Sequence, residues 1–223
     1  MTDIFFAIYL CIIAVSFLAS ASIYFNKQSP GYLQLFPPFL LITAITEALG
    51  HYVPPFTTNN HILYHIYFFI YFPFYFLFLR QVIKHKNIKK AILYTLLPYT
   101  FIYLLVSITG KMETYFTSLY VSGSFLLLCF CGLYFYEWMQ ATTADRLTKQ
   151  PSFWICSGLL FFQAGALPLL AANKFIESFP AYSIRNLGIL LLLINYVFYS
   201  LVAVAFYVNR RNQYNMYKRN RPR

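Results

Sequence analysis

Seven stretches of mostly apolar residues follow one another along this chain, at 4–25, 33–53, 61–83, 91–109, 115–139, 152–172 and 184–208. About 20 such residues, rising 1.5 Å each, carry an α-helix across the roughly 30 Å hydrocarbon core of a bilayer. Turn formers separate the stretches, among them Gln28-Ser29-Pro30-Gly31, Pro54-Pro55 with Asn59-Asn60, and Gly110-Lys111. No separator is long enough for a soluble domain. The expected fold is therefore all-α and polytopic: a seven-helix transmembrane domain over 1–208, then a basic cytoplasmic tail over 209–223. A β-barrel would need alternation at every second residue, and the unbroken run Ile189-Leu190-Leu191-Leu192-Leu193-Ile194 argues against it.

Composition agrees. Only 10% of the residues are charged, where a soluble domain has about 25%, so there is too little charge to cover a water-facing surface. The net charge of +11 is not spread as a nucleic-acid-binding domain would spread it. It sits in clusters between the apolar runs, chiefly at 84–90 and 210–223, and no nucleic-acid partner is expected. Of the 17 Lys and Arg residues, all but Lys111, Lys174 and Arg185 fall in or beside the loops after spans 1, 3 and 5 or in the tail. Cytoplasmic loops carry the excess of Lys and Arg, which predicts an N-terminus outside, a C-terminus in the cytoplasm, and a multi-pass protein of the inner (cytoplasmic) membrane. Six or eight spans would spoil this asymmetry. The first span follows an acidic start, Met1-Thr2-Asp3, rather than a basic one. It reads as a retained helix despite the Ala19-Ser20-Ala21 that imitates a signal-peptidase site. Cys11, Cys129, Cys131 and Cys156 all lie within apolar runs and read as packing residues, not a disulfide framework.

An ionisable side chain inside a span costs about 2.5–3.5 kcal/mol on insertion scales, so each one needs a reason. Glu47 lies in the second span, with His51 one turn further on. His61 and His65 repeat that spacing at the start of the third. Residues four apart share a helix face, and a short loop makes these helices antiparallel neighbours. Glu47, His51, His61 and His65 are thus expected to converge in one outer-leaflet pocket, with Glu47 protonated or held by a polar neighbour. Three roles stay open: hydrogen bonding across the hairpin, sensing of a proton or ligand, or a metal site using those four residues, since nitrogen and carboxylate ligands suit zinc. Deeper, Gln163 and Asn195 each need a partner and can serve each other as a mid-membrane polar contact. Small residues Ser157, Gly158, Ala164 and Gly165 let a neighbouring helix come close. At the inner interface Glu137 is expected to pair with Arg80, Arg146 or Lys149, and Trp138 and Trp154 to mark the membrane surface. Pro37-Pro38 and Pro73 are candidate kinks.

Several functions lack their residues. No lysine lies well inside a span to carry a retinal Schiff base, and no Walker loop, Gly-x-Ser-x-Gly elbow or Cys-x-x-Cys occurs. Seven-helix zinc hydrolases of the adiponectin-receptor and ceramidase type use histidines from early and late helices, whereas none follows His85 here. No cofactor is expected.

The remaining landmarks are Glu47-Ala48-Leu49-Gly50-His51-Tyr52, Asn60-His61-Ile62-Leu63-Tyr64-His65-Ile66-Tyr67, Tyr134-Phe135-Tyr136-Glu137, Pro151-Ser152-Phe153-Trp154-Ile155-Cys156-Ser157-Gly158 and the stretch 195–206. Together they resemble a family of seven-helix membrane proteins common in Bacteroidetes that look like stand-alone membrane sensor modules. The resemblance covers nearly the whole chain. It implies the architecture, brings no activity, and singles out Glu47, Tyr64, His65, Glu137 and Trp154, which adds Tyr64 to the pocket. The resulting expectation is a non-enzymatic membrane sensor or signalling accessory, in contact with membrane lipids and, through its basic tail, with a membrane or cytoplasmic signalling partner. The alternatives are a metal-dependent intramembrane hydrolase and a small transporter or channel.

Overall fold

A computed structural model describes residues 2–25, 29–53, 61–109, 112–140, 144–171 and 181–219. These form seven α-helices: α1 (Thr2–Ala21), α2 (Phe36–Tyr52), α3 (His61–Val82), α4 (Lys86–Ile108), α5 (Met112–Met139), α6 (Pro151–Ala171) and α7 (Ala181–Arg219). Short 3₁₀ turns stand at Ser22–Phe25, Gly31–Leu33 and Ala144–Lys149, and there is no strand among the described residues. All seven helices are long and apolar enough to cross a membrane, as a multi-pass membrane protein requires. In lipid, backbone groups have no water to bond, so a helix, which pairs them internally, is the structure such runs adopt. Their outward faces fit that solvent: Ile108 is 84% exposed and Leu18 67%, single members of an apolar surface that water would not tolerate.

The helix ends depart from the apolar runs by several residues in places, and three of these departures bear on the fold. Helix α2 starts at Phe36, with Pro37 and Pro38 in its first turn. A helix leaves its first N–H groups unpaired, so prolines are at home there; this pair opens the helix and does not kink it. Prolines do lie inside α3, α4 and α6, as Pro73, Pro98 and Pro168. Helix α4 starts at Lys86, ahead of its apolar run. Helix α7 has 39 residues, about 58 Å at 1.5 Å each, and runs without a break through position 208 to Arg219. The expected tail therefore begins as a helical extension. Its amide side chains hold it: Asn209 and Gln213, both buried, donate to Ser29 Oγ at 3.2 and 2.7 Å, and Asn212 donates to the Lys149 carbonyl at 2.6 Å.

The helices close into a ring in the order α1, α2, α3, α5, α6, α7 and back to α1, with α4 packed outside against α3 and α5. Lipid tails are as apolar as leucine, so helices in a membrane associate through packing and hydrogen bonds rather than escape from water. Helix α3 supplies much of that packing. Its Tyr71, Phe72, Tyr75, Phe76 and Phe78 are all buried, and Phe74 stacks on Phe39 of α2 with ring centres 3.9 Å apart. Helix α1 is tied to α7 by Ser16, which donates to the Tyr199 carbonyl at 2.8 Å, and by Tyr196, which donates to the Phe5 carbonyl.

Glycine marks the closest approaches. A Cβ at Gly158 would lie 3.1 Å from the Phe198 ring and 3.4 Å from its carbonyl oxygen, so this residue lets α6 meet the α7 backbone, as its small size suggested. A Cβ at Gly123 on α5 would lie 2.6 Å from both the Phe72 ring and the Tyr99 hydroxyl. Neither group can withdraw easily, because Phe72 is fully buried and Tyr99 donates to the Leu119 carbonyl at 3.1 Å. Gly123→Ala is expected to cost about 1–3 kcal/mol through overpacking, seen as a lower melting temperature in detergent. Gly132→Ala on the same helix, where a Cβ meets nothing within 4 Å, should be neutral or stabilising by up to about 1 kcal/mol.

Candidate functional site

Tyr64, Tyr67, Phe68 and Tyr71 recur along α3 at the three- and four-residue steps that put side chains on one helical face. That face looks into the ring. Tyr9 and Phe6 approach from α1, Glu47 from α2, Phe116, Thr117 and Tyr120 from α5, and Phe162 from α6. Helix α7 contributes Gly188, Leu191, Leu192, Asn195, Phe198 and Tyr199. Six helices thus surround a cavity of about 480 Å³, and α4 contributes nothing to its wall among the described residues. From Gly188 to Tyr199 the α7 wall rises by about 16 Å. Among the described lining residues Glu47 is the one ionisable acid, and no Lys, Arg or His joins it.

Three helices meet at the Glu47 carboxylate. Tyr9 of α1 donates to Oε1 at 3.2 Å and Tyr64 of α3 donates to Oε2 at 3.3 Å. Hydrogen bonds to a charged group contribute about 1.5–3 kcal/mol each, enough for two of them to offset the insertion cost of an acid. Both are longer than the usual 2.5–3.0 Å of an O–H···O bond, so they hold the carboxylate loosely and leave part of its acceptor capacity unspent. Behind it the network continues. The Tyr199 hydroxyl interacts with those of Tyr9 and Tyr67, Tyr67 lies 3.1 Å from Thr43 Oγ1, and Thr43 donates to the Phe39 carbonyl at 3.0 Å.

Of the five residues expected to share a pocket, the structure brings two together. Glu47 and Tyr64 come together, but His51 and His65 do not join them on the cavity wall. Four residues along an α-helix turn it by 400°, so His51 sits about 40° round from Glu47. It faces α1, where it stacks on Phe6 at 3.7 Å, and it meets its neighbour on α2, Tyr52, edge-on at 4.8 Å. His65 is about 100° round from Tyr64 and packs edge-on against Phe116 of α5 at 4.4 Å, while its carbonyl accepts from Tyr103 of α4 at 2.9 Å. The His61 side chain lies outside the described residues. Among the described residues no three His, Cys, Asp or Glu side chains come close enough to share a metal ion.

The mid-membrane pair is also divided. Gln163 donates to the Tyr71 hydroxyl at 3.1 Å, and Asn195 donates to the Leu191 carbonyl of its own helix at 2.9 Å. Asn195 lines the cavity and Gln163 braces one of its tyrosines from behind. At the other end of the bundle both oxygens of Glu137 accept from the one Lys84 backbone N–H, at 3.0 and 2.9 Å; neither Arg80 nor Lys149 pairs with it, and the Arg146 side chain lies outside the described residues. The Lys84 ammonium instead lies 4.5 Å from the centre of the Trp138 ring, a cation–π contact. Trp154 donates to the Thr148 carbonyl at 2.9 Å. Glu137 and Trp154 therefore pin the α3–α4 loop and the 144–149 turn, and have no part in the cavity.

No family model, curated protein or solved structure matches this chain, so the site stands on its own geometry. Sequence reasoning missed Tyr9, Tyr67, Tyr71, Tyr120 and Tyr199. A signal for the α3 members was present in their spacing; the others come from helices whose rotation only the packed ring reveals.

Proposed function

We propose that this chain is a non-enzymatic integral membrane sensor or signalling accessory of the inner (cytoplasmic) membrane, and that it holds a small ligand in the Glu47 cavity. The observation that carries this reading is a cavity of about 480 Å³ lined by six helices and supplied with one carboxylate and several tyrosine hydroxyls. Small-molecule sites have this size, roughly 300–1,000 Å³, and this character, mostly apolar with a few placed polar groups.

Helix α7 supports a sensing role. It lines the cavity from Gly188 to Tyr199 and continues as one helix to Arg219. Its far part is joined to the α1–α2 connection through Ser29 and to the 144–149 turn through Lys149. Small shifts and rotations of packed helices are a common way to carry a binding event to a distant surface. In the orientation that basic loops favour, the cavity lies toward the outside. Arg210, Arg211 and Lys218, all exposed, lie toward the cytoplasm, where they meet anionic lipid or a signalling partner.

A side chain can be added to the cavity without removing anything. Gly188 lines it, and a Cβ there meets nothing within 4 Å. Native mass spectrometry of protein extracted from its own membranes should show one small molecule bound per chain, absent from a Gly188→Leu variant that melts at the wild-type temperature or above. Wild-type protein that carries nothing, or that keeps its adduct after the substitution, contradicts a ligand cavity. The orientation is checked by C-terminal fusions: green fluorescent protein should fluoresce and alkaline phosphatase should be inactive. The opposite pattern would reverse it.

A further inference from the structure

We infer that the ligand of this cavity is an organic cation, a protonated amine on an aromatic or apolar body. The inference rests on reading the cavity as a ligand site and adds the chemistry that the site selects.

Charge gives the first reason. Glu47 is the only acid on the described wall and no basic side chain stands there to balance it. A carboxylate taken out of water is stabilised when a counter-charge reaches it with good hydrogen-bond geometry. The protein supplies two phenol donors, at 3.2 and 3.3 Å, and no cation among the described residues. An ionised carboxylate has about four acceptor positions, so roughly two remain for an incoming N–H donor. A ligand with a carboxylate or phosphate would meet the opposite situation, with like charge at Glu47 and no Lys or Arg among the described lining residues to receive it.

The wall gives the second. Phe6, Tyr64, Phe68 and Phe116 line the same cavity as Glu47. The faces of such rings attract cations, by about 0.5–1 kcal/mol when exposed to water and about 2 or more when desolvated. Size and donor type then separate an organic cation from an inorganic one. Calcium takes six to eight oxygen ligands and magnesium an octahedron of them, whereas a single carboxylate serves this space. The remaining volume, lined by Leu191, Leu192, Phe162 and Phe198, accommodates an apolar body.

The test compares three probes of one shape and different charge: tryptamine (cation), tryptophol (neutral) and indole-3-acetate (anion). Each is titrated calorimetrically at neutral pH into the full chain in detergent. Tryptamine should bind at least ten-fold more tightly than tryptophol, and indole-3-acetate should not bind detectably. Glu47→Gln should bring tryptamine down to the affinity of tryptophol and leave tryptophol unchanged, which also shows that the variant is folded. The wild-type comparison decides the matter even if that variant does not fold. Equal binding of tryptamine and tryptophol, both blocked by Gly188→Leu, would overturn the amine and leave the cavity as a ligand site. No binding by any probe, or binding that Gly188→Leu does not affect, would overturn both readings.

Discussion

A carboxylate placed inside a lipid-embedded bundle has to be met by donors from its neighbours, and at Glu47 those donors come from two other helices. Tyr9 reaches it from α1 and Tyr64 from α3. Because lipid offers helices little reason to associate, directional contacts of this kind decide which faces turn inward. Fixing the α3 face that carries Tyr64 also turns Tyr67, Phe68 and Tyr71 toward the centre of the ring. Fixing the α1 face that carries Tyr9 brings that hydroxyl to Tyr199 of α7. The cavity is what remains between helices oriented in this way. Large, rigid tyrosine and phenylalanine rings meet at their edges and do not fill the middle.

The opposite end of the bundle follows a different rule. Its polar contacts join loops to helix ends: Glu137 to the Lys84 amide, Trp154 to the Thr148 carbonyl, and Asn209 and Gln213 to Ser29. These bonds tie the connections down and extend α7 beyond the expected end of its span. One end therefore has an acid facing a space and the other has its connections secured, with α7 running through both. The proposal that binding belongs to one end and output to the other starts from that division.

The seven spans were legible because length and apolarity are properties of single segments and need no knowledge of neighbours. Their exact ends were less so. Pro37-Pro38 looked like a kink because sequence shows proline but not the helix start, and 209–219 looked like a free tail because the acceptors for Asn209, Asn212 and Gln213 lie in distant loops. At the site, Glu47 stood out by its cost, and Tyr64 entered through a resemblance. Four-residue spacing gives a shared face only to within about 40°, enough to turn His51 toward Phe6. The partner of Glu137 is a backbone N–H, which no residue type announces. Tyr9 is a helix hairpin away from Glu47 and reaches it through the pairing of α1 with α2, whereas Tyr199 is separated from it by most of the chain and comes near only when α7 closes the ring against α1.

Glu47 is held by Tyr9 of the neighbouring helix α1, and a double-mutant cycle measures that contact directly. The stabilities of wild type, Tyr9→Phe, Glu47→Gln and the double variant, compared by unfolding in detergent, should give a coupling energy of about 0.5–3 kcal/mol, the range for residues in contact. Additivity within about 0.3 kcal/mol would mean that the carboxylate and the phenol do not meet, and the cavity built around them would go with that contact.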